Sequence, residues 1–156
     1  MNAAETTSRD SYVLLQIGAR RFALPAALIA ELAPPVRLHT FPHASALISG
    51  VIVRRGRIVP VYDASAELCF GRAFTHRFYL ILRRPSHALG EFAALPVDGE
   101  CELASGEVQP AEAGAPRYVS GMLATGDGSV SILDFEALVA SSVVPSGQRA
   151  QAERPS

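Results

Sequence analysis

The sequence predicts a mainly β protein made of small closed barrels in two similar lobes, and three observations point to it. Gly and Pro interrupt the chain at short intervals, which favours many short strands over long helices. Between those breaks lie about eight to ten β-branched or alternating apolar runs, and closure suits such a set because it removes exposed edges. An extended run that ends in Asp and leads into a short helix occurs twice, at Ile58-Val59-Pro60-Val61-Tyr62-Asp63 and Val130-Ser131-Ile132-Leu133-Asp134. Each follows a Gly-led strand, at Gly50 and at Gly121. That repeat is the reason to expect two lobes.

The elements follow in order. Residues 1–10 are polar and read as a flexible tail. Tyr12–Ile17 is apolar and β-branched, hence a strand, and Phe22-Ala23-Leu24 returns as the second arm of a hairpin across Gly18-Ala19-Arg20-Arg21. Pro25 suits the first turn of a helix, and Ala26–Leu32 has helical composition up to Pro34-Pro35. An extended reading through Leu32 competes with it. Val36–His39 alternates and predicts a short strand. Ser49–Arg54 and Arg57–Tyr62 form a second hairpin around Arg55-Gly56, with Gly56 supplying a left-handed φ. Pro60 implies an edge strand or a bulge, since it donates no ladder hydrogen bond. Asp63–Leu68 reads as one or two helical turns capped by Asp63. Arg77–Arg83 and Glu91–Val97 are partner strands across a turn at Ser86–Gly90. Ala104–Arg117 is rich in Gly, Pro, Ala and Glu and reads as loop. Tyr118–Thr125 and Ser129–Leu133 form a closing hairpin around Gly126-Asp127-Gly128. Asp134–Val139 is a C-terminal helix capped by Asp134, and residues 143–156 form a disordered tail.

Composition narrows the function. The chain has 156 residues, 49% of them hydrophobic and 19% charged, enough for one domain with a real core. Its net charge of -1 argues against non-specific nucleic-acid binding, which needs a basic stripe. No apolar run reaches the roughly 18 residues of a membrane span. No signal-peptide core precedes Asp10. A soluble, cytoplasmic protein without direct membrane insertion is expected.

A search for chemistry returns little. His39, His43, His76 and His87 lack metal-ligand spacing, and Phe41-Pro42 breaks any helix between the first two. Cys69 and Cys101 read as buried apolar residues rather than nucleophiles. No nucleophile elbow or phosphate loop is present, and Glu67, Asp98, Glu100, Glu102 and Glu107 single out no catalytic pair. No catalytic residue, metal or cofactor is therefore assigned. What remains is Arg54, Arg55 and Arg57 beside Gly50 and Gly56. Arginine in a rigid turn suits an interface anchor.

Those residues carry a resemblance. Ser49-Gly50-Val51-Ile52-Val53-Arg54-Arg55-Gly56-Arg57-Ile58-Val59-Pro60-Val61-Tyr62-Asp63 resembles the signature of CheW-like chemotaxis coupling proteins. Tyr12–Leu24 looks like the family's opening hairpin, and Ile29-Ala30-Glu31-Leu32 like its Val-x-Glu-Val segment. Pro42 matches the proline before the Gly-Val strand. Leu95-Pro96-Val97-Asp98-Gly99 and the run from Tyr118 to Asp134 resemble two later elements. The resemblance spans nearly the whole of residues 11–142.

It implies two five-stranded β-barrel lobes (SH3-like or OB-like) packed side by side. It also implies a non-catalytic adaptor, a monomer when free, cytoplasmic and held at receptor arrays on the inner membrane. The implied partners are the regulatory domain of a CheA-type histidine kinase and the cytoplasmic tips of methyl-accepting chemoreceptors. The implied partner-binding residues are Ile29, Glu31, Gly50, Arg55, Gly56 and Leu103, the last in the inter-lobe groove, and the arginine cluster adds Arg54 to them. The sequence departs from the pattern at Val53-Arg54, where Asn-Leu is usual, at Ala64-Ser65 and at Glu100, and these changes imply a divergent partner set. The alternative is a diverged barrel binding a small ligand or another signalling protein in that groove.

Overall fold

The computed structural model describes residues 11–40, 47–64, 78–84, 91–99, 101–126 and 128–140. The expected tails, the helical turns after Ala64, the Ser86–Gly90 turn, Pro42, Cys69, Glu100, His43, His76 and His87 lie outside them.

Two antiparallel-rich sheets form. The strands are β1 Ser11–Ile17, β2 Arg20–Pro25, β3 Ile29–Ala33, β4 Ile48–Arg54, β5 Arg57–Tyr62, β6 Phe78–Arg83, β7 Phe92–Val97, β8 Glu102–Ser105, β9 Val108–Pro110, β10 Val119–Thr125 and β11 Gly128–Leu133. The first sheet runs β8-β1-β2-β11-β10-β9 and the second β3-β6-β7-β5-β4. One lobe thus has six strands rather than the expected five. The extra one is β9, whose counterpart in the other lobe shrinks to a single bridge, His39 to Val51. The expected strand Val36–His39 reduces to that bridge.

The two sheets share one plan. In each, one hairpin (β10–β11, β4–β5) meets another (β1–β2, β6–β7) through a parallel pair, β11 with β2 and β5 with β7. Each carries a register shift at its glycine, between Val119 and Gly121 and between Ile48 and Gly50. In each, the residue after the last strand ties back: Asp134 N–H donates to Tyr118 O at 2.7 Å and Asp63 N–H to Leu47 O at 2.8 Å. The repeat read from the sequence is therefore a structural one.

Both sheets roll. Strands β8 and β9 are opposite edges of the six-stranded order yet only residues 106 and 107 separate them. A flat six-stranded sheet would place its edges about 24 Å apart, whereas that link spans no more than about 11 Å. No ladder among the described residues joins the edges. Gly106 is required at the crossing, because a Cβ there would lie 2.0 Å from Ala124 O.

Alternate residues face alternate cores. Leu80 and Leu82 of β6, Leu95 and Val97 of β7, Leu15 and Ile17 of β1 and Phe22 and Leu24 of β2 meet in one central cluster between the sheets. Tyr79, Ile81, Ala94, Ile52, Val59 and Ala33 fill the five-stranded lobe. Leu14, Ala23, Leu123, Val130 and Ile132 fill the other. Strands between two cores are buried on both faces, which is why β6 and β7 read as continuous apolar runs.

Three expectations need correction. Ala26–Leu32 is not a helix: a single 3-10 turn, Ala26–Leu28, is followed by strand β3. A helix this short is marginal alone, and pairing Ile29–Ala33 with β6 outweighs its propensity. Ala104–Arg117 is not all loop, since β8 ends within it and β9 lies within it. Each of them is ordered by one neighbouring strand rather than by its own composition. Pro60 is not on an edge strand but in an interior one, between β4 and β7, and the irregularity in its ladder falls on the facing strand, between Ile48 and Gly50. Val51, its partner, turns its N–H and C=O outward to His39, so this pair needs no donor from Pro60. The C-terminal helix, residues 135–140, starts as expected: Asp134 Oδ1 accepts from Ala137 N–H at 3.0 Å.

Candidate functional site: the arginine-rimmed mouth of the five-stranded lobe

The β4–β5 connection is two residues, Arg55-Gly56, with φ of 53° and 77°. Two positive φ values make a type I′ turn, whose twist matches the strands it joins. Its usual first residue is Asn. An arginine there carries a backbone cost of about 1 kcal/mol, and Gly56 has open space around it.

Glu31 on β3 answers that turn from the opposite edge of the sheet. Its Oε2 accepts from Arg54 Nε at 3.1 Å and its Oε1 from Arg54 Nη2 at 3.0 Å. Arg55 Nε and Nη2 each reach it at 3.2 Å. One carboxylate thus holds two guanidinium forks, and the two edges of the rolled sheet meet through them. The hydrogen bonds from Arg54 and then Arg55 hold the Glu31 carboxyl down at about 2.

The other expected site residues are placed as follows. Ile29 starts β3 but, across the register shift at residues 29–31, packs on the central core beside Leu82. Gly50 lies down β4, where a Cβ would come within 2.5 Å of His39 O, so its missing side chain serves an internal crossing. Leu103 is in the other lobe on β8, opposite Val13, and is 73% exposed. It is absent from the inter-lobe pocket, which is lined by Pro25, Leu28, Leu82, Ile132 and Phe135 among others. The structure therefore brings together Glu31, Arg54, Arg55 and Gly56, and leaves Ile29, Gly50 and Leu103 outside that cluster.

Sequence reasoning named Arg57 beside these residues but missed Ala30, Val59, Ile81, Arg83 and Phe92, which complete the mouth. A pocket of about 340 Å³ is lined by Ala30, Glu31, Arg54, Arg55, Arg57, Val59, Ile81, Arg83 and Phe92. The signal was available: Arg54, Arg57 and Arg83 stand two residues from Ile52, Val59 and Ile81 and so share their inward face. It also missed Arg84, which is only 3% exposed. Arg84 donates to Glu136 at 2.7 and 2.8 Å and to Tyr62 Oη at 2.9 Å, and lies 5.2 Å from the centres of the Tyr62 and Phe135 rings. Burial works against its charge, but Glu136 and Tyr62 together keep it firmly protonated. No local pattern announces a contact 52 residues long.

Asp98 straps the lobes together. Its N–H donates to Gln16 O at 2.9 Å, and its carboxylate accepts from Gly18 N–H. Cys101 is half-buried against the central core just before β8, not within a strand, and burial pushes its thiol up to about 11. That is no nucleophile at neutral pH. Among the described residues no group of three His, Cys, Asp or Glu could hold a metal, and no helix is long and apolar enough to cross a membrane.

Comparison with known proteins places the fold. Residues 11–143 match the family described as CheW-like domain. The scaffolding protein TtCheW from Thermoanaerobacter tengcongensis has a similar crystal structure, with a TM-score of 0.70 and 22% identity over 80% of this chain and 88% of that one. The curated proteins gave no match.

Proposed function

The chain belongs to the CheW-like domain family and is a non-catalytic scaffold in chemotaxis signalling; from that premise we propose that it couples a chemoreceptor tip to a CheA-type histidine kinase through the Glu31–Arg54–Arg55 face. Each rolled sheet is read as one barrel lobe of the family's kind, which the short link between β8 and β9 supports. The observation that carries the contact face is the cost of its design. The left-handed Arg55 gives little stability back, since its side chain is 72% exposed and exposed ion pairs contribute about 0–1 kcal/mol. Strain kept at a projecting turn is a reason to infer function there. Beside it Val53 and Ile58, directly paired across the hairpin, are 53% and 72% exposed and supply apolar contact area. The receptor tip docks in the inter-lobe pocket, with Leu103 a further apolar contact on the six-stranded lobe. The free protein is a cytoplasmic monomer that joins receptor arrays at the inner membrane.

Calorimetric titration into the regulatory domain of a CheA-type kinase from the same organism tests this. Binding at micromolar strength or tighter is expected. Arg55→Glu should weaken it at least tenfold while the circular dichroism spectrum is unchanged. Full binding by the folded variant would remove Arg55 from the contact.

A further inference from the structure

The interior of the five-stranded lobe is apolar, with Ala33, Ile52, Val59, Ile81 and Ala94 all buried. At its open end, one inward-facing step beyond Ile52, Val59, Ile81 and Ala94, Arg54 stands opposite Arg57 and Arg83 opposite Phe92, while Glu31 pairs with Ile81 itself. The apolar interior thus ends in a rim of cations.

The charges at this mouth do not balance. Arg54, Arg55, Arg57 and Arg83 line it with one carboxylate, Glu31, and that one is taken by Arg54 and Arg55. Arg57 lies over the Phe92 ring at 5.0 Å. Neither it nor Arg83 has a carboxylate partner among the described residues. The whole chain carries a net charge of only -1, so the excess is local. Arg57 and Arg83 are exposed at this rim, so their guanidinium forks are open to an incoming anion, and a concave surface lined by one sign of charge concentrates anions there.

We infer that this mouth is a socket for an acidic side chain of a partner protein, taking an Asp or Glu carboxylate between Arg57 and Arg83 while an adjoining apolar residue rests on Phe92 and Ile81. The inference rests on reading the neighbouring Glu31–Arg54–Arg55 face as the partner contact, with which the socket shares a wall. A protein segment fits better than a free metabolite. The volume, about 340 Å³, is at the small end for ligand pockets, and Arg55 of the proposed contact face is itself part of the lining.

The test is an NMR titration of the full chain, labelled with nitrogen-15, with two capped peptides, Gly-Glu-Leu-Glu-Gly and Gly-Gln-Leu-Gln-Gly. The acidic peptide should shift the amides of Arg57, Arg83 and Phe92, with an affinity that falls at least fivefold between low and moderate salt. The Gln peptide should not bind. The double variant Arg57→Gln/Arg83→Gln breaks no ion pair, and its spectrum reports whether it is folded. It should lose the acidic peptide tenfold or more. Equal binding of both peptides, no binding of either, or an unchanged affinity in the double variant overturns the socket. So does inorganic phosphate or benzoate moving the same amides where the acidic peptide does not, which would mark a small-anion site. The kinase titration separates the two readings. Kinase binding lost in Arg55→Glu but kept in the double variant sinks the socket and leaves the contact face standing; binding kept in both sinks both.

Discussion

Glu31 shows how one carboxylate can organise an end of a lobe. Its carboxyl is held at about 2 instead of 4.5, chiefly by hydrogen bonds from Arg54 and then Arg55. A depressed carboxylate stabilises the fold above its unfolded value and loses that contribution as the pH falls through the folded one. Glu31→Gln should therefore cost about 1 kcal/mol at neutral pH. The gap in melting temperature between variant and parent should close between about pH 4.5 and pH 2, where the parent's own carboxyl protonates. A gap that is flat across that range would mean the ion pair contributes nothing to the fold. At this scale the sequence was only partly readable. Glu31, Arg55 and Gly56 were identifiable as candidates because a family pattern lies on them, and Arg54, where the chain departs from that pattern, because it belongs to a cluster of arginines at a tight turn. Arg84 and Glu136 were not, because an arginine next to Pro85 gives no local sign that it is buried under two aromatic rings.

At the scale of the element, the glycines carry the plan. Gly50 and Gly121 stand at the same place in the two lobes, each facing a crossing carbonyl: a Cβ would sit 2.5 Å from His39 O at the first and 2.9 Å from Gln109 O at the second. Gly50→Ala should destabilise the protein by about 2 kcal/mol, as overpacking does, and urea denaturation reads it directly. A neutral result would show that the His39 bridge yields easily. Hairpins were legible because their turn chemistry is local, as at Arg55-Gly56. Strands β3, β8 and β9 were not. Ile29–Ala33 has a helix-compatible composition, and Val108–Pro110 is exposed along its length, so only the neighbouring strand makes each extended.

For the whole molecule the decisive feature is the core between the sheets. Leu15, Phe22 and Leu24 from one sheet and Leu82, Leu95 and Tyr62 from the other share it, joined by Leu138 of the C-terminal helix. Lobes that share their largest core should melt as one unit. Leu82→Ala should lower stability by about 3 kcal/mol and move a single calorimetric peak without splitting it. Two resolved peaks would show that the lobes fold independently. Two lobes were legible from the repeated run into Asp63 and Asp134, but their strand counts were not, because β9 and the His39 bridge are unequal versions of one part.

The parallel pairing of β2 with β11 has a further consequence, in the order in which the chain is made. The five-stranded lobe is built from one continuous stretch, Ile29–Val97, inserted between β2 and β8 of the other lobe. On a ribosome that inner lobe emerges whole, whereas β2 must wait for its partner β11, more than a hundred residues later. At about 5–20 residues per second that delay is on the order of 5–20 s. Through that interval Phe22 and Leu24 rest on whatever the inner lobe already offers. The inner lobe is thus the template on which the outer one, first to be begun and last to be finished, is assembled.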